Sequence, residues 1–297
     1  MLNKILLCVA LICSLHSTLI AQDNFSISLL DQNNTPVKFA FAITGDTIVY
    51  ANTYGKLVFN RKPVDLKIYS EAYETAFLST FGTEVLLDDK RSPNDSAESV
   101  MQAFFKNSEK NNPYNNYKNL SFKRYNRTLI KRNRLKNVSV NENLFSERIS
   151  EYAINQDKEK EFIVAQKNQG FSKPVLQILS HRMHDINWYD KNFVIFETEY
   201  FSPLHKDNSK AYGYKIILEN DNFFYIKFTP LLKANDKLLE GIFRLDKSFA
   251  LSQIYVNKDD VLKLDLFQSY FQSPKKKLWL TEDILVKMTP GKGGKPV

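Results

Sequence analysis

Tyr212-Gly213-Tyr214-Lys215-Ile216-Ile217-Leu218-Glu219, then Asn220-Asp221-Asn222, then Phe223-Phe224-Tyr225-Ile226-Lys227-Phe228-Thr229-Pro230, is the stretch whose reading decides the fold. Tyr212, Tyr214, Ile216 and Leu218 alternate with Gly213, Lys215, Ile217 and Glu219, the period of two expected of a strand with one wetter face. The Asn-Asp-Asn cluster is a turn, after which Phe224, Ile226 and Phe228 alternate with Tyr225, Lys227 and Thr229. Four more such runs follow, at 239–245, 249–256, 261–271 and 278–288, separated by turn-forming clusters. Turns this short and this regular make each strand pair with its sequence neighbour, so the spacing predicts a six-stranded antiparallel meander.

Lys215, Lys227, Arg244, Lys263 and Asp265 interrupt the alternate face of that meander. A membrane-spanning barrel needs at least about eight strands and an unbroken apolar exterior. The expectation is therefore a curved, one-sided sheet whose large aromatic and aliphatic residues are covered by helix from upstream.

Hydrophobic content of 43%, charged content of 25% and a length of 297 residues are those of a globular chain long enough for two domains. Residues 1–21 read as a signal peptide: Lys4, an apolar run over 5–15, and Leu19-Ile20-Ala21 before the cleavage point. Both cysteines, Cys8 and Cys13, leave with that leader, so no disulfide and no cysteine metal ligand is expected in the mature chain. The formal net charge of +8 becomes +7 once Lys4 is removed.

Residues 22–90 alternate in about seven short strands divided by turns, the signature of a small β-sandwich. Within it, Asp31…Pro36-Val37…Phe39-Ala40, Thr53-Tyr54-Gly55-Lys56-Leu57 and Leu66-Lys67-Ile68…Ala72-Tyr73 resemble the carboxypeptidase-regulatory-like domain. That resemblance implies a transthyretin-like sandwich of the kind found at the N-terminus of exported Bacteroidetes proteins, without peptidase residues. Tyr54 and Ala72 depart from its usual pattern.

Residues 91–112 read as a linker and an amphipathic helix, with Asp95 and Glu98 as a capping box and Ala97, Val100, Met101, Phe104 and Phe105 on one face. Asn111-Asn112-Pro113 ends it. Residues 113–290 form the sheet domain, and 174–183 reads as a second covering helix. The segment from Tyr114 to Val140 is basic and holds no acidic residue. Lys123, Arg124, Arg127, Lys131, Arg132 and Arg134 are its candidates for contact with an anionic surface. Export removes nucleic acid as a partner, which leaves lipid head groups, where each basic residue contributes about 1 kcal/mol. The competing reading is a solvated strand face balanced by acids. Residues 291–297 are a flexible tail, not a phosphate loop, because the glycine spacing fails and no helix follows.

The order of Asn111-Asn112-Pro113, Tyr125-Asn126-Arg127, Ser202-Pro203-Leu204, Phe228-Thr229-Pro230 and Glu240-Gly241…Leu245-Asp246 resembles an uncharacterised Bacteroidetes family. In that family a regulatory-like domain precedes a region of unknown function, and an outer-membrane barrel normally follows. The resemblance implies a location at the periplasmic face of the outer membrane, either as a barrel-less relative or as the truncated periplasmic part of a barrel protein.

Catalytic signatures are scarce. There is no Gly-x-Ser-x-Gly, no His-Glu-x-x-His, and no carboxylate pair that stands out among 33 acidic residues. His181 and His184, three apart, with His205 as a third imidazole, are the candidate ligands of a metal-dependent hydrolase. The main expectation is instead a non-enzymatic binding or scaffold protein with no cofactor. Its partner would be an outer-membrane protein, a lipid or a glycan, held by peripheral contact in a groove lined by Phe224, Phe228, Phe243 or Tyr255.

Overall fold

A helix lies over one face of a six-stranded antiparallel sheet, and this pairing carries the larger of two cores. A computed structural model describes residues 24–71, 73, 75–79, 82–87, 97–116, 120–130, 144–155, 158–169, 186–195, 198–232, 235–259, 262–273 and 279–290. The protein is mainly β, and it divides into two compact units, Met1–Asn94 and Asp95–Val297.

Among its described residues the first unit holds seven strands: β1 (Phe25–Asp31), β2 (Phe41–Thr44), β3 (Thr47–Tyr50), β4 (Lys56–Phe59), β5 (Leu66–Tyr69), β6 (Ala76–Leu78) and β7 (Glu84–Leu87). They form two sheets, ordered β4-β1-β7 and β3-β2-β5-β6. Alternation places Ile27, Leu29, Leu57, Leu66 and Ile68 in one core, each at most 1% exposed. The turn after β1 is built by Asp31, whose carboxylate accepts the Asn33 and Thr35 backbone N–H groups, each at 2.8 Å. Gly55 is required where it stands: its φ is +67°, and a Cβ there would lie 2.8 Å from the Leu29 carbonyl oxygen.

In the second unit, β8 (Leu120–Ile130), β9 (Leu144–Asn155) and β10 (Lys158–Gln169) make a separate three-stranded antiparallel sheet with β9 in the centre. β11 (Asn192–Ile195) and β12 (Thr198–Phe201) form a hairpin, and a 3-10 helix spans Lys206–Ala211. The meander follows as β13 (Tyr212–Glu219), β14 (Phe223–Pro230), β15 (Glu240–Asp246), β16 (Leu251–Asp259), β17 (Leu262–Gln272) and β18 (Trp279–Pro290), paired in sequence order. Ahead of β11, the Asn187 side chain accepts the Tyr189 N–H and donates to Asp190, turning the chain, and Trp188 is buried.

Register places Ile226 beside Phe243 and Phe243 beside Ile254 on one face, with Phe228 and Gly241 opposite each other. Over that face lies α1 (Glu98–Asn111), which contributes Val100, Met101 and Phe104 to the same core. Phe104 stacks on Tyr189 with ring centres 5.6 Å apart. The helix is tied at both ends: Ala97 N–H donates to Tyr214 O at 3.4 Å, and Asn111 Nδ2 donates to Ser248 O at 3.0 Å. Ala97 holds the N-cap position with no side-chain cap; Asp95, the expected partner of Glu98 in a capping box, lies outside the described residues. The Ala97 N–H, one of the donors a helix start leaves over, is taken up by the sheet. Asn112 turns extended and Pro113 follows, as the sequence implies, although a short helical turn, Pro113–Asn116, comes after it. The second expected covering helix, 174–183, lies outside the described residues, as do 1–21 and 291–297.

The meander is not one-sided. On the face that carries Lys215, Lys227 and Arg244, Tyr225, Ile242 and Tyr255 are buried as well. Asp265 serves as a local hydrogen-bond hub there, accepting from Tyr255 Oη at 2.8 Å and from Asn257 Nδ2 at 2.6 Å. Burial, first among the causes, and the nearby Asp265 charge push the Tyr255 phenol well above its ordinary range. Charged positions in a strand therefore did not mean a wet face, because their neighbours supply the polar partners.

Candidate interaction surface

The four residues expected to line a groove are enclosed. Phe228 and Phe243 have no exposed surface and lie 5.8 Å apart centre to centre, with Tyr212 edge-on to Phe228. Phe224 is sandwiched between the Phe249 ring and the Lys247 ammonium, which sits 3.7 Å from its ring centre. Tyr255 belongs to the opposite face altogether, as its pairing with Ile242 requires. Phe224, Phe228 and Phe243 belong to the core that α1 shares with the sheet.

The histidines do not assemble either. His181 and His184 lie outside the described residues. His205 is the N-cap of the 3-10 helix, and its Nδ1 accepts the Asp207 N–H at 3.2 Å, so that nitrogen is already in use. Asp190 and Asp207 stand near it; burial raises the Asp190 carboxyl, with the His205 charge pulling the other way. Among the described residues, no group of three or more His, Cys, Asp or Glu side chains is arranged to hold a metal ion.

Of the basic stretch, Lys131, Arg132 and Arg134 lie outside the described residues, while Lys123, Arg124 and Arg127 lie on β8. Cross-strand pairing splits them between the two faces of the sheet. Lys123 stands opposite Glu151 and is 3.5 Å from it, and Arg127 stands opposite Glu147 at 3.9 Å. Arg124 projects from the other face, its guanidinium 4.2 Å from the Tyr152 ring centre, which is itself stacked on Phe122. On that other face Arg148 is buried and paired with Glu161, and Arg148 Nε donates to Ser150 Oγ at 3.0 Å. Desolvation raises the Glu161 carboxyl, but hydrogen bonds from Ser150, Arg148 and Tyr152 and the Arg148 charge outweigh it and leave it lowered.

The face that bears Lys123 and Arg127 also exposes large apolar side chains. Tyr125 lies directly opposite Ile149, and Ile149 lies opposite Ala165. Phe162, opposite Glu151, is on the same face one step along. Tyr125 is 59% exposed, Ile149 41% and Phe162 58%, so three large apolar side chains cross three adjacent strands in contact with solvent. Lys160 and Lys167, both exposed, share that face through their pairing with Ala153 and Glu147. A bulge at Val164 shifts the register between Ile163 and Ala165, and Ile163 and Val164 are exposed too.

Sequence reasoning missed Ile149 and Phe162 because neither belongs to a motif. One signal was available: Phe162-Ile163-Val164-Ala165 is an apolar run without alternation, set against the charged Lys158-Glu159-Lys160-Glu161. No helix among the described residues is long and apolar enough to cross a membrane. Set against known proteins, the chain matches no family model, no curated protein and no solved structure.

Proposed function

We propose that this chain is an exported, non-enzymatic binding or scaffold protein that acts at the periplasmic face of the outer membrane. Its working surface is the exposed face of the β8-β9-β10 sheet. The observation that carries this reading is the row Tyr125, Ile149 and Phe162, large apolar side chains held in water on a regular sheet. A folded chain ordinarily buries such a row, and a contiguous exposed one marks a contact surface. The leader-like residues 1–21 and the two family resemblances support export and location. The two sheets of the first unit are in keeping with the small β-sandwich expected from its short strands and turns.

Fractionation of the native host with an antibody and an intact-mass measurement tests this proposal. The expected species has lost residues 1–21 and is washed from envelope membranes by salt or carbonate. A cytoplasmic species that retains Met1 would overturn it.

A further inference from the structure

We infer that the occupant of the β8-β9-β10 face is the surface of a bilayer rich in anionic lipid; the inference rests on the binding role proposed above. Three properties of the face lead there. The apolar side chains are of the types that enter a head-group layer: Tyr125 is amphipathic, and Phe162 and Ile149 are purely apolar. They form a row across three adjacent strands, one side chain from each. Among the described residues of this face the charge is unbalanced: Lys123, Arg127, Lys160 and Lys167 stand against Glu147 and Glu151. Lys160 and Lys167 come from the edge strand β10, on either side of Phe162 and Ala165.

A protein partner would be expected to meet a mixed or acidic surface with matching shape. A planar, negatively charged surface with an apolar layer beneath it matches cations around an apolar row directly. Lys123 and Arg127 would exchange their carboxylate partners for lipid phosphates, while Phe162, Ile149 and the Tyr125 ring would sit at the acyl boundary.

The test is sedimentation of the full mature chain with vesicles of phosphatidylethanolamine and phosphatidylglycerol, set against vesicles of phosphatidylcholine alone. Binding is expected to the first only, and to weaken steeply with added salt. Lys160→Glu combined with Lys167→Glu should lower the affinity by about thirtyfold or more. Phe162→Ser should weaken binding without moving the melting temperature, since the ring is exposed in the free protein. In a Phe162→Trp chain, indole emission should shift to the blue on vesicle addition and be quenched by brominated acyl chains. Absence of sedimentation with the anionic vesicles, or sedimentation that the double lysine variant leaves intact, overturns the lipid occupant. If a photocrosslinker at Phe162 then captures an envelope protein in the host, the contact surface stands with a different partner. If it captures nothing, the binding role falls as well.

Discussion

The indole N–H of Trp188 donates to Oε1 of Gln268 at 2.8 Å, joining two wholly buried side chains that are 80 residues apart. Gln268 uses its amide in the other direction, donating to Tyr270 Oη at 2.8 Å. The loop before β11 is thus pinned to β17, the fifth strand of the meander. Gln268→Leu would leave the indole N–H without an acceptor inside the core, at a cost of about 1–3 kcal/mol. Urea unfolding of the variant should show a lower midpoint at unchanged slope.

The packing of α1 depends on Phe104, fully buried and stacked on Tyr189. Phe104→Ala should destabilise the second unit by about 3–5 kcal/mol through the cavity it leaves. Thermal unfolding followed by circular dichroism would measure it, with Phe105→Ala, only partly buried, as the milder companion.

Two glycines of the meander should behave differently. A Cβ on Gly241 would stand 2.1 Å from the Tyr255 carbonyl oxygen and 2.9 Å from the Phe228 ring, against backbone and a packed aromatic. A Cβ on Gly213 would meet only side-chain ends, Leu231 at 3.4 Å and the Thr229 hydroxyl at 3.7 Å. Gly241→Ala is expected to cost about 3 kcal/mol or to prevent folding, and Gly213→Ala to be nearly neutral. Soluble yield and melting temperature distinguish them.

His205 acts here as a helix cap. His205→Ala should cost about 1 kcal/mol, and His205→Asn, which keeps a capping acceptor, much less. Both changes should be independent of chelator. Stoichiometric zinc in the purified protein, lost with the alanine variant, would contradict this and revive the hydrolase reading with His181 and His184.

Asp31 gives the first unit an acid-sensitive turn. The Thr35 backbone N–H is the main influence holding its carboxyl below the ordinary value, with the Asn33 N–H and Tyr73 hydroxyl adding to it against a partial desolvation. Because the folded value is depressed, the stabilisation is present above the ordinary carboxylate range and is lost as pH falls through the folded value. Asp31→Asn should remove that contribution at neutral pH and so flatten the acid limb of a stability–pH curve. A carboxyl-carbon titration by NMR would report the depressed value directly.

The meander was legible because its strands alternate and its turns carry Asn, Asp and Ser. The turn at Asp246 was legible in kind but not in length. The Asp246 carboxylate gathers the Ser248 and Ala250 N–H groups, Phe249 adopts φ +61°, and β16 starts at Leu251, not at Phe249. A large aromatic in the left-handed region is something local pattern argues against. The face of Phe224, Phe228 and Phe243 was also legible, but alternation cannot distinguish a wall of aromatics around a groove from the same aromatics packed against a helix. The candidate contact surface was hardest to read. Lys123 and Arg127 look like free cations until cross-strand register supplies Glu151 and Glu147, and such register lies outside a linear reading.

The extra residue at Val164 changes the parity of β10. Upstream of it the even-numbered residues Lys160 and Phe162 reach the exposed face; downstream, the odd-numbered Ala165 and Lys167 do. If two copies of β10 met edge to edge in antiparallel fashion, one register that matches faces across the bulge would set Lys160 of each against Lys167 of the other. Among the described residues β10 pairs on one side only, and an edge bearing Phe162, Ile163 and Val164 is otherwise a template for aggregation. The bulge and the two lysines are devices of the kind that blunt such an edge against a second strand.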